Sequence, residues 1–157
     1  MFDICNPRQV IFVTSRARIN LFGKNTTKDN VTAIDKHMPV SKKPMFYAIS
    51  LHKDRFTLDL IRSSGVFCTN FCGKELKEAM LFCKEHNGKH MDKFNRAKLS
   101  KKEANTIDCP LIDQHKGVFE CSVINEIETG DHVILIAKIM HMQKEFDAPR
   151  LFNSSIF

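Results

Sequence analysis

The chain has 157 residues and a formal net charge of +6, with 43% hydrophobic and 27% charged residues. This is an average composition for a soluble globular protein, and the length predicts one domain over residues 1–157. No apolar stretch of the sequence approaches the roughly 20 residues that a membrane-spanning helix needs. The first residues contain only a very short apolar run and carry Asp3, which argues against a signal peptide. We therefore expect a cytoplasmic protein that has no membrane partner.

Six cysteines are scattered along the chain, and several lie inside apolar runs such as VFCTNF and FECSV. Cysteines of this kind usually behave as small buried hydrophobic residues in a reducing compartment. No C-x-x-C pair occurs, and only a fragment of a ligand set is present at Cys83, His86 and His90. The sequence therefore predicts neither a disulfide scaffold nor a metal site.

The positive charge attracts anions in general, and nucleic acid is one candidate partner. The chain has no Trp and one Tyr, so a base-stacking platform would rest on phenylalanines that mostly resemble core residues. Lys and Arg are spread along the chain and do not line one stripe. A solvated basic surface or a small phosphorylated ligand therefore fits the charge better than nucleic acid does.

The first third of the chain alternates between strand-like runs and polar connections. Residues 8–15 (RQVIFVTS) and 44–51 (PMFYAISL) are rich in β-branched and aromatic residues, which predicts two strands. Residues 18–30 contain Gly, three Asn and several charges, and we interpret them as a hairpin-type connection. Residues 30–44 are polar with two prolines, so we do not expect one regular element throughout.

The predicted helices lie in the middle of the chain. Residues 56–65 have apolar positions at helical spacing and end at Gly65, which predicts a short helix, and a strand is predicted at 66–71. Residues 73–88 form the clearest predicted helix. Its apolar stripe consists of Leu76, Ala79, Met80 and Cys83. Residues 90–110 are polar and are expected to wind over the surface with one helical turn.

Two long strands are predicted within residues 116–143, joined by a turn at 128–131. A half-buried strand alternates apolar with polar residues, but the second of these strands is apolar on both sides. One side carries Val133, Leu135, Ala137 and Ile139, and the other carries Ile134, Ile136 and Met140. One side would fill a core, so the other needs a second layer or another subunit. Because soluble monomers rarely expose large apolar patches, we expect a homodimer.

Several short β segments, few helices and a β-meander near the end predict a mainly β barrel with peripheral α-helices. Four segments then carry a resemblance, namely KDNVTAIDKHMPVSKKPMFYAIS (28–50), RFTLDLIRSSGVFCTNF (55–71), HNGKHMDKF (86–94) and FECSVINEIETGDHVILIAKI (119–139). In this order they resemble the flavin reductase-like, FMN-binding split-barrel family, which includes the flavoredoxins. The resemblance covers nearly the whole chain, and it implies a split β-barrel and bound FMN.

FMN has a dianionic phosphate that needs cations and hydrogen-bond donors. The resemblance implies that phosphate ligands lie at the start of the segment 55–71. Arg55 and Thr57 are the candidates, because they lie at a strand-to-helix turn. Ser50, His52 and Lys53 lie in the same bend and can add further donors. Thr57 is also a candidate N-cap of the helix, and the two interpretations are compatible because a helix N-terminus already binds anions.

The resemblance also implies that the loop after Asn30 lies against the isoalloxazine ring. Backbone N–H groups from Thr32 through Asp35 are the expected contacts. The residues of this predicted ring-binding segment are Asn30, Thr32, Ala33, Ile34, Asp35 and Lys36. Many members of the family have a Trp or another bulky apolar residue where this chain has Asp35 and Lys36, so the stacking group is not identified.

Three more residues are candidates for contacts with the flavin. Lys93 and His132 are assigned through the resemblance to the pyrimidine end of the ring, where a cation would stabilise the charge of reduced flavin. Without the resemblance, Lys93 would be interpreted as a surface lysine and His132 as a strand-end residue that faces water. Asn70 lies among apolar neighbours, so its side chain either has a structural hydrogen bond or contacts the flavin.

The resemblance implies an oxidoreductase that passes electrons from NAD(P)H or a redox protein through bound FMN. No G-x-G-x-x-G follows a predicted strand, so a nicotinamide would stack on the exposed flavin ring. No catalytic residue is predicted, because the cofactor itself carries the chemistry. Two alternatives stay open, namely a non-enzymatic FMN carrier that exchanges electrons with an iron–sulfur protein and a basic barrel that binds nucleic acid.

Overall fold

The computed structural model describes residues 3–145 and 149–153. The strands of these residues are β1 (Ile11–Leu21), β2 (Lys24–Ile34), β3 (His37–Lys42), β4 (Met45–His52), β5 (Val66–Phe71), β6 (Lys101–Glu103), β7 (Pro110–Ile112), β8 (Gly117–Thr129) and β9 (His132–Lys144). The α-helices are α1 (Phe56–Ser64), α2 (Lys77–Glu85) and α3 (Lys93–Arg96). Short 3₁₀ turns occur at Asp3–Cys5, Lys74–Leu76 and Gly88–His90. The fold is therefore mainly β, as predicted.

One antiparallel sheet of seven strands dominates the described part of the chain, in the order β2-β1-β5-β8-β9-β4-β3. The strands β2 and β3 form its two edges, although only Asp35 and Lys36 separate them along the chain. The sheet must therefore curl until its two edges lie next to each other. This curled sheet is a barrel that stays open between β2 and β3.

Two layers of apolar side chains hold the barrel together. The interior contains Ile11 and Val13 of β1 and Leu135 of β9, and α1 adds Leu58 and Ile61 to the same cluster. The opposite side of β1 and β2 packs against the second helical region through a separate cluster. This cluster includes Val10, Phe12, Val31, Ala33, Met80, Cys83, Phe94 and Leu99. The helix α1 therefore packs into the barrel interior, and α2 and α3 cover the outside of β1 and β2.

The strand β9 is apolar on both faces, as its sequence predicts. Val133, Leu135 and Ala137 are buried in the barrel interior. Residues that pair directly across an antiparallel sheet share a face, so the opposite face follows from the register. It contains Met38, Ala48, Ile127, Ile134 and Ile136, which we call the apolar sheet face. Met38 is 58% exposed and Ile127 is 43% exposed, so this face is only partly covered by the chain itself.

The expectation that residues 18–30 form a connection is wrong, because both strands continue through this region. The turn consists of Phe22 and Gly23 alone, with φ values of 53° and 78°. Positive φ at both central residues belongs to the two-residue turn that best matches the twist of a hairpin. The strand residues on either side of the turn are largely exposed and polar, so they lack the apolar alternation that would have revealed a strand.

Other predicted elements agree more closely with the structure. The segment 30–44 is interrupted at Asp35, as expected, but most of it belongs to β2 and β3. The helix α1 ends at Gly65, whose φ of 76° is the left-handed conformation of a helix C-cap. The strand β5 occupies residues 66–71 as predicted. The predicted helix at 73–88 is shorter, since α2 covers Lys77–Glu85 after a 3₁₀ turn.

All six cysteines are free thiols, and five of them are buried as the sequence predicts, while Cys5 is exposed. Burial raises the pKa of Cys72 to about 12 and the pKa of Cys83 to about 11. These five side chains therefore act as small core residues. Within the described residues, no helix combines the length and apolar character needed to cross a bilayer.

Glu120 of β8 is fully buried and holds the segment before β7 against the sheet. Its carboxylate accepts hydrogen bonds from the backbone N–H groups of Asn105, at 2.9 Å, and Thr106, at 2.7 Å. The Thr106 hydroxyl donates a third bond at 2.7 Å. Burial alone would raise the pKa of Glu120, but these hydrogen bonds outweigh it and lower the pKa below its usual value. The ionised form therefore stabilises the fold.

We expect the free energy of unfolding to fall as the pH is lowered from about 5 to about 3, with part of this slope due to Glu120. A carboxylate with a lowered pKa stabilises the fold above its unfolded pKa, and this stabilisation is lost as the pH falls through the folded pKa. The variant Glu120→Gln should be less stable at pH 7 and should show a smaller slope. Urea unfolding followed by circular dichroism measures both, with the exposed Glu128→Gln as control. Equal slopes in Glu120→Gln and the wild type would contradict this role.

Candidate functional site

A cavity of about 470 Å³ lies beside the Asp35–Lys36 connection that joins the two edge strands of the sheet. We call it the edge pocket. Its lining residues are Val10, Ala33, Ile34, Asp35, Lys36, Ser50, Leu51, His52, Asp54, Arg55, Lys84, Glu85, Asn87 and His132. The volume falls within the range of about 300–1,000 Å³ that is typical of small-molecule sites.

The bend between β4 and α1 positions Arg55 at the edge pocket. The backbone N–H of Arg55 donates to the His52 carbonyl at 3.0 Å, and the N–H of Lys53 donates to the Asp131 carbonyl at 3.0 Å. These bonds close the bend and fasten it to the turn between β8 and β9. Arg55 occupies the N-cap position of α1 in an extended conformation. Arg55 therefore directly precedes the first turn of a nine-residue helix, whose first N–H groups have no partner within the helix and stabilise anions.

Arg55 is a half-buried cation whose charge is not matched by a carboxylate. Its Nη2 donates to the backbone carbonyl of Lys84 at 2.7 Å. None of the salt bridges found in residues 3–145 and 149–153 includes Arg55. Burial lowers its pKa, although an arginine remains charged at any physiological pH. The pocket therefore contains a positive charge that an anionic ligand can neutralise.

Two histidines meet at one end of the edge pocket. His52 and His132 are directly opposite each other in the β4–β9 pair, and their ring centroids are 5.3 Å apart in an edge-to-face arrangement. The Nδ1 atom of His132 lies 2.7 Å from an Asp131 carboxylate oxygen. This hydrogen bond lowers the pKa of Asp131. One exposed carboxylate therefore orients an imidazole that can present its other nitrogen to a ligand.

Asp35 lies in the connection between the two edge strands. Its carboxylate accepts hydrogen bonds from Arg8 at 2.7 Å and from Asn153 at 3.1 Å. Burial alone would raise the pKa of Asp35, but the bond from Arg8 and the charge of Lys36 outweigh it and lower the pKa. The negative charge of Asp35 is therefore largely compensated before any ligand binds.

Eight of the fourteen predicted site residues line the edge pocket. They come from three separate segments of the sequence and are Ala33, Ile34, Asp35, Lys36, Ser50, His52, Arg55 and His132. The structure therefore brings together the bend before α1, the segment after Asn30 and the start of β9. The predicted residues outside the pocket lining are Asn30, Thr32, Lys53, Thr57, Asn70 and Lys93.

Asn30 and Thr57 lie next to the pocket segments as buried supporting residues. The Asn30 Nδ2 atom donates to the Thr57 hydroxyl at 3.1 Å, so β2 is connected to the first turn of α1. Thr57 therefore does not cap the helix, because Arg55 holds that position. A Cβ atom on Gly88 would lie 1.9 Å from the Asn30 Oδ1 atom, so only glycine fits there. Thr32 is buried as well, whereas Lys53 is exposed and lies 3.8 Å from Glu128.

The structure gives Asn70 a structural role. Its Nδ2 donates to the Phe12 carbonyl at 3.2 Å and to the Thr14 hydroxyl at 3.0 Å. Its Oδ1 accepts from the backbone N–H of Ile112 at 2.8 Å. The amide thereby links β5, β1 and β7 in the interior. With both ends of the side chain engaged in this way, Asn70 is placed away from the edge pocket.

Lys93 lies inside the protein, next to the end of α2. It is 1% exposed, so it is not a surface lysine. Its Nζ donates to the backbone carbonyls of Cys83 and His86, each at 2.8 Å, and it does not line the edge pocket. The structure therefore places the Lys93 ammonium at the end of α2, and its assignment to the pyrimidine end of the flavin stays a prediction.

Sequence reasoning missed one wall of the edge pocket. The end of α2 and the second residue after it contribute Lys84, Glu85 and Asn87. Periodicity predicts that this helix buries Met80 and Cys83, but it does not say which part of the sheet the helix end will approach. The available signal was the HNG stretch at 86–88, since Gly88 packs against Asn30.

An antiparallel barrel that is open along one edge, with a pocket that contains Arg55 beside the connection of its edge strands, is typical of β-barrels that bind a small molecule. The comparison with known families is consistent with this class, since a flavin reductase like domain matches residues 4–155. The chain belongs to this flavin reductase-like family of flavin-binding redox proteins. An uncharacterized protein of Archaeoglobus fulgidus is 27% identical over 125 residues, which cover 80% of this chain and 71% of that protein.

Solved structures of low sequence identity share the fold. The flavoredoxin of Desulfovibrio vulgaris (Miyazaki F) superposes with a TM-score of 0.79 at 20% identity, over 90% of this chain and 72% of that chain. An NADH:FAD oxidoreductase of Streptomyces globisporus has a TM-score of 0.79 at 17% identity, over 92% and 80%. A Shewanella frigidimarina protein described as a flavin reductase with a split barrel domain has a TM-score of 0.80 at 10% identity, over 92% and 70%. The fold is therefore the split barrel that the sequence predicts.

Proposed function

We propose that the edge pocket binds FMN non-covalently and that the chain transfers electrons through this flavin. The observation that carries the proposal is Arg55, a half-buried cation without a carboxylate partner among the described residues, located at the N-terminus of α1 in the pocket. A phosphate monoester is the group that such an arrangement suits, since a guanidinium and helix N–H groups both donate to its oxygens.

The remaining lining residues suit the rest of an FMN molecule. Ser50 and His52 belong to the segment that leads to Arg55, line the pocket and can donate to the phosphate or the ribityl chain. Val10, Ala33 and Leu51 provide apolar surface for a flat ring. Because β2 is an edge strand, alternate N–H groups along it point away from β1 and can donate to ring carbonyls. His132 can donate to the ring or compensate a negative charge on it.

Bound FMN would supply reversible acceptance of one or two electrons, which no side chain of this chain can supply. The role of the protein residues is therefore to bind the phosphate, orient the ring and leave part of it accessible to an electron donor. Arg55 would bind the phosphate, and the edge of β2 together with His132 would orient the ring. The opening beside the connection of β2 and β3 would leave part of the ring accessible to an electron donor.

We expect Arg55→Gln to raise the dissociation constant of FMN about 10- to 100-fold, because a hydrogen bond to a charged group contributes about 1.5–3 kcal/mol. Quenching of FMN fluorescence measures this constant. Riboflavin, which lacks the phosphate, should bind the wild type and the variant equally well. The matched control is Arg62→Gln, since Arg62 lies on the same helix and pairs with Glu126 on the surface. Equal FMN affinity in Arg55→Gln and the wild type would contradict the phosphate assignment, and FAD titrated in parallel tests the choice of FMN.

The first form of this function is an NAD(P)H-dependent oxidoreductase. The fold that this chain shares with an NADH:FAD oxidoreductase supports this form. The second form is a non-enzymatic electron carrier. The fold that this chain shares with a flavoredoxin supports this second form. Stopped-flow absorbance at the flavin band separates them. We expect rapid bleaching of the FMN-loaded protein by NADH or NADPH, and reduction by a reduced iron–sulfur protein alone would favour the carrier.

We further propose that two copies of the chain pack together through the apolar sheet face. Met38, Ala48, Ile127, Ile134 and Ile136 form a continuous set across four strands, and such a set is rarely left in water. Lys36 and Ser50 line both the edge pocket and a small apolar depression on this face that includes Met38 and Ile134. A second copy would therefore border the flavin.

The variant Ile127→Lys should shift the protein from dimer to monomer, because two lysines would be buried near each other at a symmetric interface. Sedimentation velocity at several protein concentrations measures the change. The control Leu81→Lys alters an exposed leucine of α2, which is 45% exposed and outside the apolar sheet face, and it should leave the dimer intact. A monomeric wild type at high micromolar concentration would refute the dimer.

A further inference from the structure

Lys93 is a fully buried lysine that has no carboxylate partner in the described part of the chain. Its Nζ donates instead to the carbonyls of Cys83 and His86, each at 2.8 Å. The last carbonyls of an α-helix have no partner within the helix, and they carry its negative end. Burial lowers the pKa of Lys93 to about 8, with the Cys83 thiol raising it and Arg55 lowering it further. The lysine is therefore still mainly charged at neutral pH, and the end of α2 is its counter-charge.

The same helix end is a wall of the edge pocket. Lys84, Glu85 and Asn87 line it, and Arg55 donates to the Lys84 carbonyl at 2.7 Å. Arg55 precedes α2 in the sequence and Lys93 follows it, and both bind neighbouring carbonyl groups at the end of this helix. A displacement of this helix end would move both the wall of the pocket and the group that holds the Arg55 side chain.

Two independent contacts show that the segment after α2 has little freedom to shift. The Lys28 Nζ atom donates to the Met91 carbonyl at 2.8 Å. The backbone at Gly88 approaches Asn30 so closely that a Cβ atom would lie 1.9 Å from the Asn30 Oδ1 atom. Together with the two Lys93 hydrogen bonds to Cys83 and His86, these contacts hold the segment from Cys83 to Met91 at both ends and in the middle.

We propose that Lys93 is a positioning residue of the flavin site, which fixes the end of α2 and, through the Lys84 carbonyl, the Arg55 guanidinium, without touching the flavin. This inference rests on the proposed binding of FMN in the edge pocket. It assigns to Lys93 a task different from a contact with the flavin ring. A ring contact would change the redox potential of bound flavin, whereas a positioning role changes affinity and local order.

The test compares Lys93→Met with the wild type in three measurements. We expect hydrogen–deuterium exchange of the peptide amides at 84–90 to be several-fold faster in the variant, without any flavin present. We expect the dissociation constant of FMN to rise at least about tenfold, which corresponds to about 1.4 kcal/mol. The midpoint potential and the visible spectrum of the FMN that still binds should equal those of the wild type.

Two control variants separate positioning from general damage. Lys89→Met alters a neighbouring exposed lysine and should change none of the three measurements. Leu99→Ala removes buried apolar volume from the same core cluster, so it should lower the melting temperature without changing FMN affinity. If Lys93→Met does not fold, Lys93→Gln keeps one donor for the carbonyls and should show smaller changes in the same direction.

Each outcome decides one point. Unchanged exchange at 84–90 or unchanged FMN affinity in a folded Lys93 variant overturns the inference, while the proposed function stands. A shifted midpoint potential also overturns it, since that result indicates a contact with the ring. A wild-type protein that binds no FMN overturns the proposed function itself, and with it the assignment of Lys93 to a flavin site.

Discussion

The two-residue connection between β2 and β3 is the constraint on which the rest of the structure depends. Strands at opposite edges of a seven-stranded sheet can be neighbours in sequence only if the sheet curls almost into a closed barrel. The short connection brings the edges together but does not let them pair. The pocket lies beside this connection, so the connectivity that shapes the barrel also shapes the site. The segment Asp35–Lys36 belongs to both.

Charge compensation in the site follows a common pattern, in which backbone carbonyls and not carboxylates accompany the buried cations. Arg55 and Lys93 both donate to the end of α2, whose carbonyls have no other intrahelical partner. A carboxylate at either position would neutralise the cation permanently and repel a phosphate. Helix carbonyls hold the cation in place while its charge remains available, which is the requirement of a site for an anion. Asp35 is the acid within the connection, and its negative charge is paired with Arg8.

The sequence predicts those parts of the fold in which apolar periodicity is strong. The strand β9, the strand β5 and the buried stripe of α2 follow directly from the spacing of their apolar residues. The hairpin β1–β2 does not, because its outer half is exposed on both faces and stays a strand only through pairing and a two-residue turn. Burial of Glu120 also could not be predicted, since a carboxylate is buried only when distant N–H groups converge on it.

The site is predicted in the same uneven way. Residues next to a recognisable bend or strand start, such as Arg55 and His132, lie in the pocket as the motifs indicate. Asn70 and Lys93 lie in equally recognisable motifs, but their side chains bind backbone groups that are distant in sequence. A motif shows that a residue type is needed at a position, and it does not show which direction the side chain takes. Only the packing of α2 against β2 decides that for Lys93.

The burial of five thiols has a chemical consequence for a protein of this class. Reduced flavin that meets oxygen releases peroxide, and the form of cysteine that peroxide attacks is the thiolate. Burial keeps Cys72 and Cys83 in the protonated form and out of contact with water. Under the proposed function, buried thiols would make the barrel resistant to peroxide, and Cys5, outside the sheet at the start of the chain, is the thiol most exposed to damage.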